Sequence, residues 1–357
     1  MFKQSYSTVG VMSGTSLDGI DLAHVIFSLL DGNWRFELIE CETIPYPEDW
    51  LNKLKIAYSF NENELTQINN DYTIYLGETI TSFITRHNLK KIDAVCSHGH
   101  TILHQPENKI TLQIGNLPRL SQLIDQIVVC DFRIQDVLLG GQGAPLVPIG
   151  DQILFLEYDY CLNLGGFSNI SFNNEDGIRI AFDISPVNTI LNFYANKLGL
   201  DYDNKGLIAK SGKVNQNLLK QLNELEFYSK QHPKSLGFEF VKETVLPLIE
   251  NHYIEIEDKL ATFTEHIAFQ IANAVPNKSG KLLTTGGGAY NDFLIDKLKF
   301  YLPEINVVVP SNKILEYKEA LIFALLGVLR LRNETNVLSS VTGSCKDHCS
   351  GYIYKNE

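Results

Sequence analysis

Apolar residues recur along this chain in two rhythms, one of period two and one near 3.6, and the switches between them outline its elements. Thr8 to Met12 is an apolar, β-branched run, the glycine-rich stretch Ser13 to Gly19 interrupts it, and Ile20 to Leu30 and Trp34 to Thr43 resume it, which predicts three consecutive strands. From Glu62 to His87 the rhythm changes, and Leu65, Ile68, Tyr72, Leu76 and Phe83 fall on one helical face. Strand-like runs return at Ile92 to Cys96, Thr111 to Ile114 and Ile127 to Cys130, with a short helix near Leu117 to Leu123. The order then begins again with strand Cys161 to Leu164, turn Gly165 to Ser168, strands Asn169 to Phe172 and Ile178 to Ile184, and helix Val187 to Leu198. Helix Ile256 to Ala274, strand Leu282 to Thr285, helix Asp292 to Phe300, strand Val307 to Val309 and helix Tyr317 to Arg330 complete it. The echo is faint in letters and plain in pattern, and it predicts two similar α/β halves.

Length agrees with that reading, since 357 residues with 44% hydrophobic content can bury a large core and favour two domains with a cleft between them. No charged segment followed by an apolar one opens the chain, so a cytoplasmic rather than a secreted protein is expected. Ala320 to Leu329, the most apolar later stretch, falls short of the ~20 residues that cross a bilayer and reads as a buried helix with no membrane contact. A net charge of -12 without any basic stripe argues against a nucleic-acid partner. Any anionic ligand must then be held locally, by backbone N–H groups, a metal ion and a few placed cations. Of the six cysteines, Cys96, Cys130 and Cys161 lie in apolar strands and are expected to be reduced thiols packed as small hydrophobes. Cys345, His348 and Cys349 are potential metal ligands, but a zinc site needs a fourth.

Three glycine-rich turns follow apolar strands: GVMSGTSLDGID at Gly10 to Asp21, LNLGGFSN at Leu162 to Asn169, and LLTTGGGAYN at Leu282 to Asn291. Glycine lets a backbone turn sharply and approach a ligand closely, which exposes successive N–H groups to phosphate oxygens. Each could be a plain hairpin, and none is a Walker A loop or a GxGxxG fingerprint. Three such turns spread over both halves shift the balance to a nucleotide. The candidate nucleotide site is therefore Gly10, Ser13, Gly14, Thr15, Ser16, Leu17, Asp18, Gly19 and Asp21, with Gly165, Gly166 and Asn169, and Gly286, Gly287, Gly288 and Asn291. Asp18 or Asp21 can hold Mg2+, with Asp18 the first choice.

These turns, together with SHGHTILHQP at Ser97 to Pro106, TLQIGN at Thr111 to Asn116, VVCDFRIQDVLLGGQGAPLVP at Val128 to Pro148, FDISPVN, HPKSLG at His232 to Gly237, KEAL at Lys318 to Leu321 and SVTGS at Ser340 to Ser344, resemble the successive signatures of the anhydro-N-acetylmuramic acid kinases, in the family's order and over nearly the whole chain. The resemblance implies the fold of the sugar kinase, actin and chaperone ATPase superfamily: two ribonuclease-H-like (actin-like ATPase) domains with an interdomain cleft, here expected as 1–133 plus about 335–357 and as 134–334. It also implies the reaction. Water opens the 1,6-anhydro bond of recycled cell-wall anhydro-N-acetylmuramic acid while ATP, with Mg2+, phosphorylates O6 to give N-acetylmuramic acid 6-phosphate. The partners are then ATP and a small amino sugar, with a homodimer allowed.

On the family pattern DTGPGN the general base falls on Asp183 of DISPVN, where Ser185 and Val187 replace glycines. The plainer alternative is that Asp183 caps the helix that follows. SHGHT stands where the family reads HGQT, so His100 replaces a glutamine and brings a side chain that can charge near neutral pH. His98, Gly99, His100 and Thr101 are assigned to the sugar. Arg133 suits the lactyl carboxylate, unless it pairs with Asp131 or Asp136. Glu319 either faces the site as a second catalytic carboxylate or complements the start of its helix. Two other functions stay open at this point: a kinase of the same fold for a different amino sugar, and a non-catalytic ATP-binding regulator.

Overall fold

The computed structural model describes residues 2–14 and 16–356. They form two compact units, the first running to Phe155 and resuming at Tyr317, the second covering Leu156–Glu316.

In the first unit, β1 (Ser5–Ser13), β2 (Ile20–Leu30) and β3 (Asn33–Ile44) make the expected antiparallel meander. β4 (Ala94–Gln105) then lies parallel to β1, β5 (Ile110–Ile114) folds back on β4, and β6 (Val128–Cys130) lies parallel to β4. The C-terminal strand Tyr352–Tyr354 closes the far edge against β6. The second unit repeats the scheme. β7 (Tyr160–Leu164), β8 (Phe167–Asn173) and β9 (Arg179–Pro186) form a meander, and β10 (Gly280–Thr285) and β11 (Ile305–Val308) add to it in parallel. Leaving out the β5 hairpin and the C-terminal strand, both sheets read third, second, first, fourth, fifth, with the same strand senses. This is the ribonuclease-H-like order, present twice.

Each sheet is buried by helices whose periodicity was legible. α1 (Glu62–Arg86) starts at a capping box in which the Asn61 side chain accepts from Asn63 N and Glu64 N, while Glu64 accepts from Asn61 N. Its inner face sets Ile68, Tyr72, Leu76, Ile80 and Phe83 against Val9, Val11, Leu22 and Val95. In the second unit α2 (Asn188–Lys197) and α3 (Ile256–Ala274) pack Ile190, Phe263, Ile267 and Ile271 onto Leu162, Ile170 and Ile184, and α4 (Asp292–Tyr301) joins the same core. Short helices such as Val147–Leu154 and Gln216–Asn223 carry too few turns for their periodicity to be read.

The last long helix, α5 (Asn312–Leu331), begins about one and a half turns before the expected Tyr317. From Tyr317 onward it belongs to the first unit, as does the segment 134–155, so the boundaries differ from the expected ones. Packing explains this. β1 approaches α5 so closely that a Cβ on Gly10 would lie 1.9 Å from the Ala320 carbonyl oxygen, and Lys318 pairs with Asp151 at 2.7 Å. Gly10, expected at the nucleotide, is thus a glycine because a helix crosses it. Gly10→Ala should lower stability by ~1–3 kcal/mol through overpacking, read by chemical denaturation, and wild-type stability would show that β1 and α5 can separate.

Candidate active site

In the first unit, β1 ends where it meets β4, with Ser13 paired to His100. Ser13 Oγ lies 2.8 Å from His100 Nδ1, accepts from Tyr72 Oη at 3.0 Å and also bonds the Tyr46 hydroxyl, while the Tyr46 and Tyr72 hydroxyls are 2.5 Å apart. All four side chains are buried. This corrects two expectations. Ser13 is no phosphate donor, because its hydroxyl is already saturated by three partners. His100 is not charged near neutral pH, since burial pushes its imidazole down to about 4.

His98 Nδ1–H donates to Gly99 O at 2.8 Å, and its Nε2 accepts from Arg133 Nε at 2.9 Å. Burial, with Arg133 alongside, holds its imidazole well below the ordinary value. Arg133 Nη1 donates to Gly143 O at 2.7 Å. Neither aspartate takes the guanidinium: Asp136 accepts from Gly143 N and from the Thr342 hydroxyl, both at 2.7 Å, and Asp131 accepts from Asn116 Nδ2 at 3.1 Å. Arg133 Nη2 has no hydrogen-bond partner among the described residues, so one donor edge of the guanidinium is left unused. Burial lowers Arg133 to about 10, with Glu319 acting in the opposite direction.

Glu319 sits within α5 rather than at its start, so complementing a helix end is not its role. Its surface is open to water. Desolvation by the protein packed around it nevertheless raises its carboxyl above the ordinary value, a lift that Arg133 opposes and Asp21 reinforces. Asp21, Arg133 and Glu319 are therefore electrostatic neighbours. Thr101 Oγ1 accepts from Gln113 Nε2 at 3.3 Å.

The first turn is a loop between Ser13 and Ile20, which pair across its base. Leu17 N bonds Gly14 O at 3.2 Å, Ser16 and Asp18 are exposed, Gly19 is buried, and Asp21 accepts from the Thr43 hydroxyl at 2.6 Å. Thr15 lies outside the described residues. Among the described residues no group of three or more His, Cys, Asp or Glu could hold a metal by itself, and Cys345, His348 and Cys349 form no such group. Magnesium, however, commonly binds one or two carboxylates and completes its shell with phosphate oxygens and water. Asp18, exposed and without a hydrogen-bond partner among the described residues, fits that requirement.

In the second unit the other two glycine turns converge. Gly286, with φ +83°, passes so close to Leu164 that a Cβ would lie 2.8 Å from its carbonyl, a conformation and a space that suit only glycine. Gly288 is buried against Leu164, whereas Gly166 and Gly287 stay exposed beside the start of α2, where Asn188 Nδ2 donates to Leu164 O at 3.2 Å. The ends of β7 and β10 and the first turn of α2 thereby form a glycine-lined rim of the kind that receives phosphate. Asn291 has another task, since it caps α4 by accepting from Leu294 N at 3.0 Å.

Asp183 pairs across the sheet with Asn169, which puts both side chains on one face. Its backbone N donates to Lys234 O at 3.1 Å, and its Oδ2 accepts from Leu236 N at 2.8 Å. Asp183 does not cap α2, whose N-cap is Val187 and has no side-chain cap. Burial raises its carboxyl above the ordinary value, partly offset by the Leu236 N–H. Ser185 and Val187 are buried, and their N–H groups go to Ser168 Oγ and Gly166 O. No chemical role for Tyr46, Tyr72 or the Lys234–Leu236 segment followed from the residue pattern. Tyr72 read as core, and the part of HPKSLG became visible only through its backbone bonds to Asp183.

A ribonuclease-H-like unit present twice, with glycine turns at the ends of the first and fourth strands of the second, defines a protein of the sugar kinase, actin and chaperone ATPase class. The family model for anhydro-N-acetylmuramic acid kinase matches residues 6–356. The anhydro-N-acetylmuramic acid kinase of Mannheimia succiniciproducens is 34% identical, over 99% of this chain and all of its own length. That of Sulfurimonas denitrificans is 33% identical over 97% of this chain and 99% of its own length, and that of Haemophilus influenzae 32% over 98% of each. This chain belongs to the anhydro-N-acetylmuramic acid kinase family. Among solved structures, component A of the Acidaminococcus fermentans (R)-2-hydroxyglutaryl-CoA dehydratase matches 90% of this chain at 14% identity with a TM-score of 0.45, too loosely to bear on function.

Proposed function

We propose that this protein uses ATP to phosphorylate O6 of 1,6-anhydro-N-acetylmuramic acid while water opens the anhydro bridge. Asp183 is the general base. It takes a proton from the water whose oxygen bonds to C1; the C1–O6 bond breaks, O6 attacks the γ-phosphorus, and ADP leaves. The observation that carries this reading is Asp183 itself, a half-buried carboxylate held by one backbone N–H and raised by burial, on β9 beside the strand that follows a glycine turn. A base works best when its pKa approaches the working pH, and desolvation moves Asp183 that way.

The glycine turns of the second unit receive the nucleotide phosphates. Arg133 binds the lactyl carboxylate through its unpaired edge, and Glu319 stands by as the second carboxylate. Asp18 would hold Mg2+ together with phosphate oxygens, the ion supplying charge neutralisation when bound. Six cysteines with no disulfide among the described residues, together with the use of ATP, fit a cytoplasmic enzyme. Full-length family membership favours this acceptor over another amino sugar and over a non-catalytic regulator.

Product analysis tests the reading. Incubation with ATP and the anhydro sugar in 18O-water should give a ring-opened 6-phosphate carrying one heavy oxygen at C1. Phosphorylated sugar with its bridge intact, or no phosphorylation of this sugar, would overturn it.

A further inference from the structure

Three hydroxyls, Ser13 Oγ, Tyr46 Oη and Tyr72 Oη, contact one another pairwise, and Ser13 Oγ makes a fourth contact of 2.8 Å with His100 Nδ1. Each contact at hydrogen-bond distance needs a proton between its two heavy atoms. A hydroxyl carries one proton, so three hydroxyls supply three for four contacts. Tyr72 donates to Ser13. With that direction set, the three mutual contacts are all satisfied only if Ser13 donates to Tyr46 and Tyr46 donates to Tyr72, a closed ring running one way.

Ser13 then has one lone pair left, facing His100, and the fourth proton must come from the imidazole. Were Nδ1 bare, Ser13 would have to turn its proton toward His100. Its contact with Tyr46 would become oxygen against oxygen with no proton between, in a site where all four side chains are buried. An unsatisfied polar contact away from water is costly.

We propose that this ring of hydroxyls holds His100 in its Nδ1–H tautomer, so that Nε2 is a bare hydrogen-bond acceptor offered to the ligand. The imidazole cannot carry both protons, because burial keeps it neutral. Among the described residues Nε2 has no hydrogen-bond partner. The group that meets it must therefore be a donor, an O–H or N–H such as a sugar hydroxyl or acetamido N–H, while an oxyanion there is repelled. That last step rests on the sugar-kinase reading, and the tautomer does not. Tyr46 and Tyr72 become positioning residues that act through Ser13, and the histidine that departs from the family's glutamine gains a defined polarity. A glutamine can match it by presenting its carbonyl oxygen.

Nitrogen-15 NMR of the ligand-free protein decides the tautomer, since protonated and bare ring nitrogens differ widely in shift. With the His100 signals assigned by their loss in His100→Gln, Nδ1 should be the protonated nitrogen at pH 7. A protonated Nε2 would overturn the proposal. Tyr72→Phe removes one proton and two contacts, leaving two hydroxyl protons for the two contacts that remain, so Ser13 is then free to donate to His100. Its His100 signals should move toward the Nε2–H tautomer, which free histidine prefers. An unchanged tautomer in a folded Tyr72→Phe protein, with melting temperature near wild type, would remove the ring as its cause. Kinetics extend the test to the ligand. Tyr72→Phe and His100→Leu should raise KM for the sugar by about tenfold with kcat changed less, and His100→Gln should restore it. A normal tautomer result with unaltered KM in all three variants would leave the ring standing and remove the ligand contact.

Discussion

Asp183→Asn should lower turnover by about three orders of magnitude while nucleotide binding is kept. The substitution is nearly isosteric, and the amide oxygen can still accept from Leu236 N, so the loop that holds residue 183 stays in place. What disappears is the ability to take a proton. Single-turnover kinetics measures the loss and calorimetry with an ATP analogue checks that binding survives; unaltered turnover would strip Asp183 of its role. The same residue should set the acid limb of the pH profile. A carboxylate acts as a base only when ionised, and burial raises Asp183 above the ordinary aspartate value. In the wild type kcat/KM should therefore fall as pH drops through that raised value, sooner than an exposed aspartate would allow. The limb should be missing from the residual activity of Asp183→Asn.

Lys318→Met should cost ~3–5 kcal/mol of stability. The Lys318 ammonium lies 2.7 Å from Asp151 Oδ1, with both side chains almost wholly buried, at 6% and 5% exposure. It also lies over the Phe155 ring, 5.3 Å from its centroid. Removing the lysine leaves a carboxylate desolvated without its cation, which is far worse than never having had the pair. The double variant Lys318→Met with Asp151→Leu should recover most of the loss, because both charges are then gone. Denaturant unfolding of the two single variants and the double gives the coupling. Additive losses would show that the two charges do not depend on one another. The pair matters beyond stability, since Lys318 precedes Glu319 and anchors this part of α5 to the first unit.

The architecture was largely legible because its determinants are local. The alternation in β1 to β3 and in β7 to β9, and the one-sided apolar face of α1, are written within a few residues of one another, and each element buries the face its rhythm marks. The glycine turns were equally visible, although what each glycine is for was not. Gly286 needs its positive φ, whereas Gly10 is a glycine because Ala320, remote in sequence, passes over it. A motif shows which residues a position tolerates and stays silent on whether a ligand or a helix sets the limit. Asn291 and Ser13 show the same thing: one became a helix cap, the other the hub of a buried hydroxyl ring.

By itself, then, the sequence determined the duplicated α/β plan, the placing of the glycine turns after strands, the family to which the motifs point, and Asp183 as the carboxylate of DISPVN. Tertiary structure alone decided the partners. It gave Arg133 to His98 and Gly143 instead of to Asp131 or Asp136, tied Asp183 to Leu236, and closed Tyr46 and Tyr72 around Ser13. The reason is physical. Secondary structure follows from side-chain spacing along one segment, but the charge state of a histidine, the free edge of an arginine and the proton order in a hydroxyl ring depend on burial and on contacts among residues far apart in sequence, which no local pattern encodes.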